Sequence, residues 1–232
     1  MKKSLYLLAV MLLISCENIS SQAIKNVDPS EFHWLINKEE GIIIDVRTPQ
    51  EFSSGHIKDA TNIDFYANDF MEKLKIVRKD VPIYVYCRSG GRSSAAVSKM
   101  KKLGFLKTYN LVGGIGAWNS KNYTTTKSEV QEKLFSPTFT FSELQNILKE
   151  NELVLIDFST QWCVPCIKMK PVIEEIKKEN LNIKVLYIDA DVNKELIKTY
   201  QIKGVPVFMV FKNSKEVFKH VGTISKEELL KK

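Results

Sequence analysis

The feature that most narrows what this chain can fold into is an apolar run followed, after a short loop, by two closely spaced thiols. Residues 153–158, Leu-Val-Leu-Ile-Asp-Phe, are nearly all apolar, as a strand buried on both faces of a sheet would be. Trp162 and Cys163-Val164-Pro165-Cys166 follow, and a helical pattern starts there. A helix start offers unpaired N–H groups and the positive end of the helix dipole, which favour a thiolate. The order strand, loop, C-x-x-C, helix therefore points to a dithiol/disulfide couple. A zinc site would need a second closely spaced pair of ligands. Cys16 and Cys87 stand apart from each other and from this pair, so no metal and no cofactor is expected.

At 232 residues the chain has room for two ordinary domains. Its hydrophobic and charged fractions, 44% and 26%, are those of a globular protein. The formal charge is +7; without Lys2 and Lys3 it would be 7 − 2 = +5. The remaining Lys and Glu are intermixed with no basic block, which argues for a solvated surface and against a nucleic-acid partner.

The first residues read as a targeting segment. Lys2 and Lys3 precede ten apolar residues, 5–14, too short for a comfortable membrane span and suited to a signal sequence. Leu13-Ile14-Ser15-Cys16 then resembles the lipobox of bacterial lipoproteins. That resemblance implies cleavage before Cys16, lipidation of its thiol and a lipid-anchored location in the bacterial cell envelope. Residues 17–22 form a mostly polar tether.

Beyond the tether, strands and helices alternate from residue 23 to about 125. Asp28-Pro29-Ser30-Glu31 starts a helix, 41–46 and 82–86 read as buried strands, and 91–103 has a helical pattern. Residues 126–137 are the expected linker, and a second domain runs over 138–232. It opens with a capping box, Thr140-Phe141-Ser142-Glu143. Strands are expected at 153–158, 183–189, 207–211 and 216–220, with helices after the C-x-x-C, at 192–201 and at the end of the chain.

In the first domain, Cys87-Arg88-Ser89-Gly90-Gly91-Arg92-Ser93 joins a strand to a helix. The glycines let the backbone curl so that several N–H groups face one point, and two arginines lie close by. An anionic sulfur, thiolate or persulfide, suits that point. With Asp45-Val46-Arg47, Glu51-Phe52, Gly55-His56-Ile57, Ala60, Leu111-Val112-Gly113-Gly114 and Trp118, this stretch resembles the rhodanese family. The resemblance implies that Cys87 accepts a sulfane sulfur and passes it to a thiol. It implies too that Arg88, Gly90, Gly91 and Arg92 bind a small anionic donor. Asp45, Arg47, Glu51 and His56 are expected to form a structural ion-pair and turn network.

In the second domain, Asp157-Phe158, Trp162-Cys163, Pro165-Cys166, Pro171, Pro206 and Gly222 resemble the thioredoxin superfamily. That resemblance implies an exposed nucleophile at Cys163, a resolving thiol at Cys166, a buried Asp157 that moves a proton at Cys166, and a cis Pro206 beside the disulfide. Val164, Val185 and Val205 depart from the cytosolic pattern. The fold expected is α/β, a rhodanese-like parallel-sheet domain followed by a thioredoxin-fold domain. The expected activity is thiol–disulfide exchange coupled to sulfane-sulfur transfer. Partners would be thiol or disulfide proteins, a small sulfane-sulfur donor, and the membrane through acylated Cys16. The competing reading is a redox-inert binding or chaperone-like module for envelope proteins.

Overall fold

The computed structural model describes residues 23–127 and 137–231. The signal segment, Cys16 and the tether lie outside the described residues, as does the middle of the expected linker.

The first domain is built on β1 (Ala23–Val27), β2 (Ile42–Asp45), β3 (Thr61–Asn62), β4 (Ile83–Tyr86) and β5 (Lys107–Leu111). Their order in the sheet is β1-β5-β4-β2-β3, and every pairing is parallel. The connecting helices are α1 (Pro29–Lys38), α2 (Pro49–Ser54), α3 (Phe70–Lys75) and α4 (Gly91–Lys102), with α5 (Gly114–Ser120) following β5. Parallel pairing needs such crossovers, and they cover both faces of the sheet. Side-chain alternation along β4 decides which face each residue serves. Tyr84 and Tyr86 pack with Phe32 and Leu35 of α1 and Trp118 of α5. Ile83, Val85 and Cys87 pack with Leu74 of α3 and with Ala96, Val97 and Met100 of α4. α1 begins where the sequence predicts it: the Asp28 carboxylate accepts from the amides of Ser30 and Glu31, and Pro29 opens the first turn.

The second domain has α6 (Phe141–Glu150), β6 (Leu153–Ser159), α7 (Val164–Glu179), β7 (Ile183–Asp189), α8 (Lys194–Thr199), β8 (Val207–Lys212), β9 (Lys215–Val221) and α9 (Lys226–Leu230). The sheet order is β7-β6-β8-β9; β6 and β7 are parallel, and β8 and β9 run antiparallel. Helices again lie on both faces. Leu144 and Leu148 of α6 and Leu196 of α8 pack on Val154, Ile156 and Phe158. Met169, Ile173 and Ile176 of α7 and Leu229 of α9 pack on Leu155 and Phe208. The expected helix over 192–201 is shorter: it starts after Asn193, whose side chain turns to Phe139 N–H and to the Pro137 and Asp189 carbonyls, and stops at Thr199, with Gln201 just beyond at φ 51°.

Both ends of the expected linker are held by their neighbours. Thr126 exchanges two backbone hydrogen bonds of 2.8 Å with His56, and Pro137 accepts from Asn193. Among the described residues no helix is long and apolar enough to cross a membrane.

Candidate functional site

Cys87 stands at the end of β4, where the chain turns into α4. Its Sγ accepts from the Gly90 amide at 3.1 Å and from the Ser93 hydroxyl at 3.5 Å. Gly90 sits at φ 107°, in the left-handed region that a side chain would disfavour, and this aims its N–H at the sulfur. Burial alone would raise the Cys87 thiol. The Ser93 hydroxyl and amide and the amides of Gly90 and Ser89 outweigh it, and the thiol titrates below its ordinary value. The loop is held from behind by α5: Ile115 N–H donates to the Cys87 carbonyl at 2.8 Å and Gly116 N–H to the Arg88 carbonyl at 3.1 Å. A Cβ on Gly114 would run into the Cys87 carbonyl oxygen and the Arg88 backbone, so only glycine permits that approach.

The two arginines separate. Arg92 is claimed by Glu51 through a bidentate pair with both contacts at 2.7 Å. The Arg92 hydrogen bond holds the Glu51 carboxyl down at about 2. Its guanidinium also lies 5.6 Å from the Tyr66 ring centre. Arg88 is exposed and has no side-chain partner shown among the described residues, which leaves it as the free cation of the loop. Gly91 is exposed at the first position of α4.

The expected Asp45, Arg47, Glu51 and His56 network divides into three. Arg47 forms a buried fork with Asp45, at 2.6 Å and 2.9 Å, and also reaches the Gly55 carbonyl. Glu51 caps α2 through Thr48 and grips Arg92. His56 ties the Phe52 carbonyl to the Thr126 hydroxyl.

In the second domain, Cys163 and Cys166 are disulfide-bonded, with Cα atoms 5.2 Å apart. Cys163 is the N-cap of α7, and its Sγ accepts from the Cys166 amide at 3.2 Å. The Val205–Pro206 peptide bond is cis. The Trp162 indole donates to Asp191 at 2.6 Å. Asp157 shares the α7 side of β6 with Leu155, is fully buried, and among the described residues has no donor in hydrogen-bonding geometry at either carboxylate oxygen. Burial pushes it up to about 7; Ser159 and Lys170 pull weakly the other way. Val185, on the neighbouring strand, supplies no charge.

One expectation fails. Cys163 is not exposed: it retains 4% of its surface and Cys166 1%. The first domain contributes to this covering, since its Ile76 belongs to the same apolar cluster as both cysteines. The Ser93 hydroxyl on the sulfur, the pairing of Glu51 with Arg92, and Thr61, Ile76 and Arg78 are what sequence reasoning passed over at the site. Ser93 lies inside the motif and its hydroxyl was the available signal. The others act across separations of forty residues or more, which no local pattern encodes.

The raised Asp157 carries a pH prediction. Unfolded, it ionises near 3.8; folded, near 7. Between these values the unfolded chain loses a proton that the folded chain keeps, so this group erodes stability as pH rises through the window, and its full cost is present above 7. Asp157→Asn should therefore gain stability relative to the parent between pH 4 and pH 8, by up to about 4 kcal/mol. Denaturant unfolding at both pH values checks it. A difference that does not change with pH would show that the Asp157 carboxyl is not raised.

Comparison with known proteins places both halves. The thioredoxin family profile matches residues 136–232, and the rhodanese-like domain profile matches residues 28–121. The chain is 38% identical over 87 residues to a thioredoxin of Rickettsia bellii (strain RML369-C), covering 37% of this chain and 83% of that one. It is 40% identical over 86 residues to a thioredoxin of Buchnera aphidicola subsp. Baizongia pistaciae (strain Bp), covering 37% and 79%. It is 32% identical over 112 residues to the uncharacterized protein YqhL of Bacillus subtilis (strain 168), covering 48% and 86%.

Proposed function

Because the chain belongs to the thioredoxin family through residues 136–232 and carries a rhodanese-like domain at residues 28–121, we propose that it is a lipid-anchored thiol–disulfide oxidoreductase of the bacterial envelope working together with a sulfane-sulfur carrier. The observation that carries this reading is the repeated construction of its sulfur sites. Cys87 and Cys163 each sit where a helix starts, and each sulfur receives a backbone N–H, at 3.1 Å and 3.2 Å.

The chemistry proceeds in two stages. The Cys87 thiolate attacks the outer sulfur of a donor such as thiosulfate; the new S–S bond forms and sulfite leaves with the bonding pair. The Cys163 thiolate of the reduced pair then takes the terminal sulfur, releasing Cys87 as a thiolate. Cys166 attacks the Cys163 sulfur, hydrosulfide leaves, and the disulfide closes. Two electrons have passed from the dithiol to the sulfane sulfur. Asp157, close to half-protonated at neutral pH, is suited to hold the proton that Cys166 gives up. An external dithiol resets the pair. Cys87 takes its sulfur hydrogen bonds from its own loop, and Cys163 shares a buried apolar cluster with Ile76 of the first domain. The second stage therefore needs the Cys163 face uncovered.

Two assays on the intact protein test the reading. With dithiothreitol present it should reduce insulin disulfides, and with thiosulfate added it should release sulfide. A folded protein that does neither is not this enzyme.

The anchoring rests on Lys2, Lys3, the apolar residues 5–14 and Cys16, and two or more acyl chains would hold the protein stably. Expressed in a bacterial host with a labelled fatty acid, the parent should take up label and Cys16→Ser should not. Equal labelling of the two would remove the anchor.

A further inference from the structure

The surface around the disulfide is already occupied. Val205 N–H, immediately before the cis proline, donates to the Ile76 carbonyl of the first domain at 3.1 Å. Val164 N–H, immediately after Cys163, donates to the Thr61 hydroxyl at 3.2 Å. Lys168 of α7 pairs with Asp59 at 3.0 Å. Trp162 packs against the apolar clusters of both domains. Arg78 lies across two glycines of the second domain. A Cβ on Gly204 would come within 2.9–3.1 Å of Arg78 Cγ, Cα and N, and one on Gly222 would run into its guanidinium.

Two of these contacts fill backbone donors of the second domain with acceptors from the first. A buried N–H left without an acceptor is costly, so Val205 and Val164 call for a partner. Ile76 and Thr61 supply it in the resting chain. Among the described residues the rest of the contact is modest: one ion pair with half-exposed side chains and a few apolar residues. Interfaces of this kind between domains open and close.

We propose that Ile76–Val77–Arg78 is a resident occupant of the surface on which the second domain binds its protein partners, and that the disulfide opens to a protein when this segment leaves. A partner displaces it by offering what it offers: a backbone carbonyl to Val205, an apolar side chain to the cluster that holds the two cysteines, and a long side chain across Gly204 and Gly222. The proposal rests on the reading of the second domain as an exchanger of protein thiols.

The test uses the full chain and two variants. Gly204→Ala keeps an ordinary backbone conformation, since Gly204 has no left-handed φ, and the three atoms nearest the added Cβ all belong to Arg78. Thr61→Val keeps shape and removes the acceptor for Val164. Val205 amide hydrogen exchange should be slow in the parent and about tenfold faster or more in Gly204→Ala, with Thr61→Val shifted the same way. In reduced protein, a polymer-linked maleimide should label Cys163 about tenfold faster in Gly204→Ala, and iodoacetamide should gain less. Equal Val205 exchange in parent and variants, or unchanged labelling by the polymer reagent, overturns the proposal. If Gly204→Ala does not fold, Thr61→Val decides. Insulin reduction run alongside separates the two claims. An active chain with an unprotected Val205 removes only the resident occupant; an inert chain removes the exchange reading and this proposal with it.

Discussion

Cys163→Ser is expected to lose insulin-disulfide reduction by about a hundredfold or more, because the attacking thiolate is the entry point of thiol–disulfide exchange. The structure favours 163 over 166 for that role on two counts. Cys163 is the N-cap of α7, and its sulfur already accepts an amide N–H from Cys166. An anionic sulfur there is stabilised by a directed hydrogen bond and by the helix dipole together. Cys166 is the more deeply buried of the two, at 1% of its surface against 4%. Cys166→Ser should therefore still attack a substrate and stop at the mixed disulfide, which non-reducing electrophoresis would display as a covalent adduct. The opposite pattern, with Cys163→Ser forming adducts and Cys166→Ser inert, would reverse the assignment.

Cys87→Ser should abolish sulfur loading. In the Cys163→Ser/Cys166→Ser background, thiosulfate should add the mass of one sulfur atom, and the further change at Cys87 should remove that addition completely. The site is made for a charged sulfur: the Gly90 amide and the Ser93 hydroxyl point at it, and α5 fixes the loop through two carbonyls. Ser93→Ala should slow loading, since it deletes the largest influence opposing burial at this thiol. The arginines should differ. Arg88 is exposed, so Arg88→Gln should slow loading several-fold at low salt and less at high salt. Arg92 is neutralised by Glu51, so Arg92→Gln should act by releasing Glu51 and loosening the loop, with little salt dependence. Intact-mass spectra over a range of salt concentrations measure all four variants. A folded Cys163→Ser/Cys166→Ser protein that gains no sulfur under donor excess would leave only the exchange chemistry.

Much of this architecture is written locally. The apolar runs at 42–45, 83–86 and 153–159 become central strands because their neighbours on both faces are helices. The capping box at Thr140 forms as its residues demand, with Glu143 N–H on the Thr140 hydroxyl and the Glu143 carboxylate on the Thr140 amide. Cys163 and Cys166 need only three residues and a helix start to meet. The loop around Cys87 is local for the same reason. Three things were not legible. Pairing of Arg92 with Glu51 joins residues 41 apart and depends on where α2 packs. The clamp on the Cys87 loop comes from α5, which follows another strand, and Gly114 reports it only once the backbone approach is seen. The contacts around the disulfide come from Thr61, Ile76 and Arg78, three residues unremarkable in sequence that belong to the other domain.

The direction of the five-stranded sheet sets how the protein would stand on a membrane. All five strands run the same way, and the chain enters β1 at Ala23, whose amide donates to Leu106 just ahead of β5. Cys87 follows the last residue of β4, at the opposite rim. Under the proposed anchoring at Cys16, only six residues, 17–22, separate the lipidated thiol from β1. The bilayer would then hold the domain by its rear rim, and the Cys87 loop would lie at the rim away from the lipid headgroups.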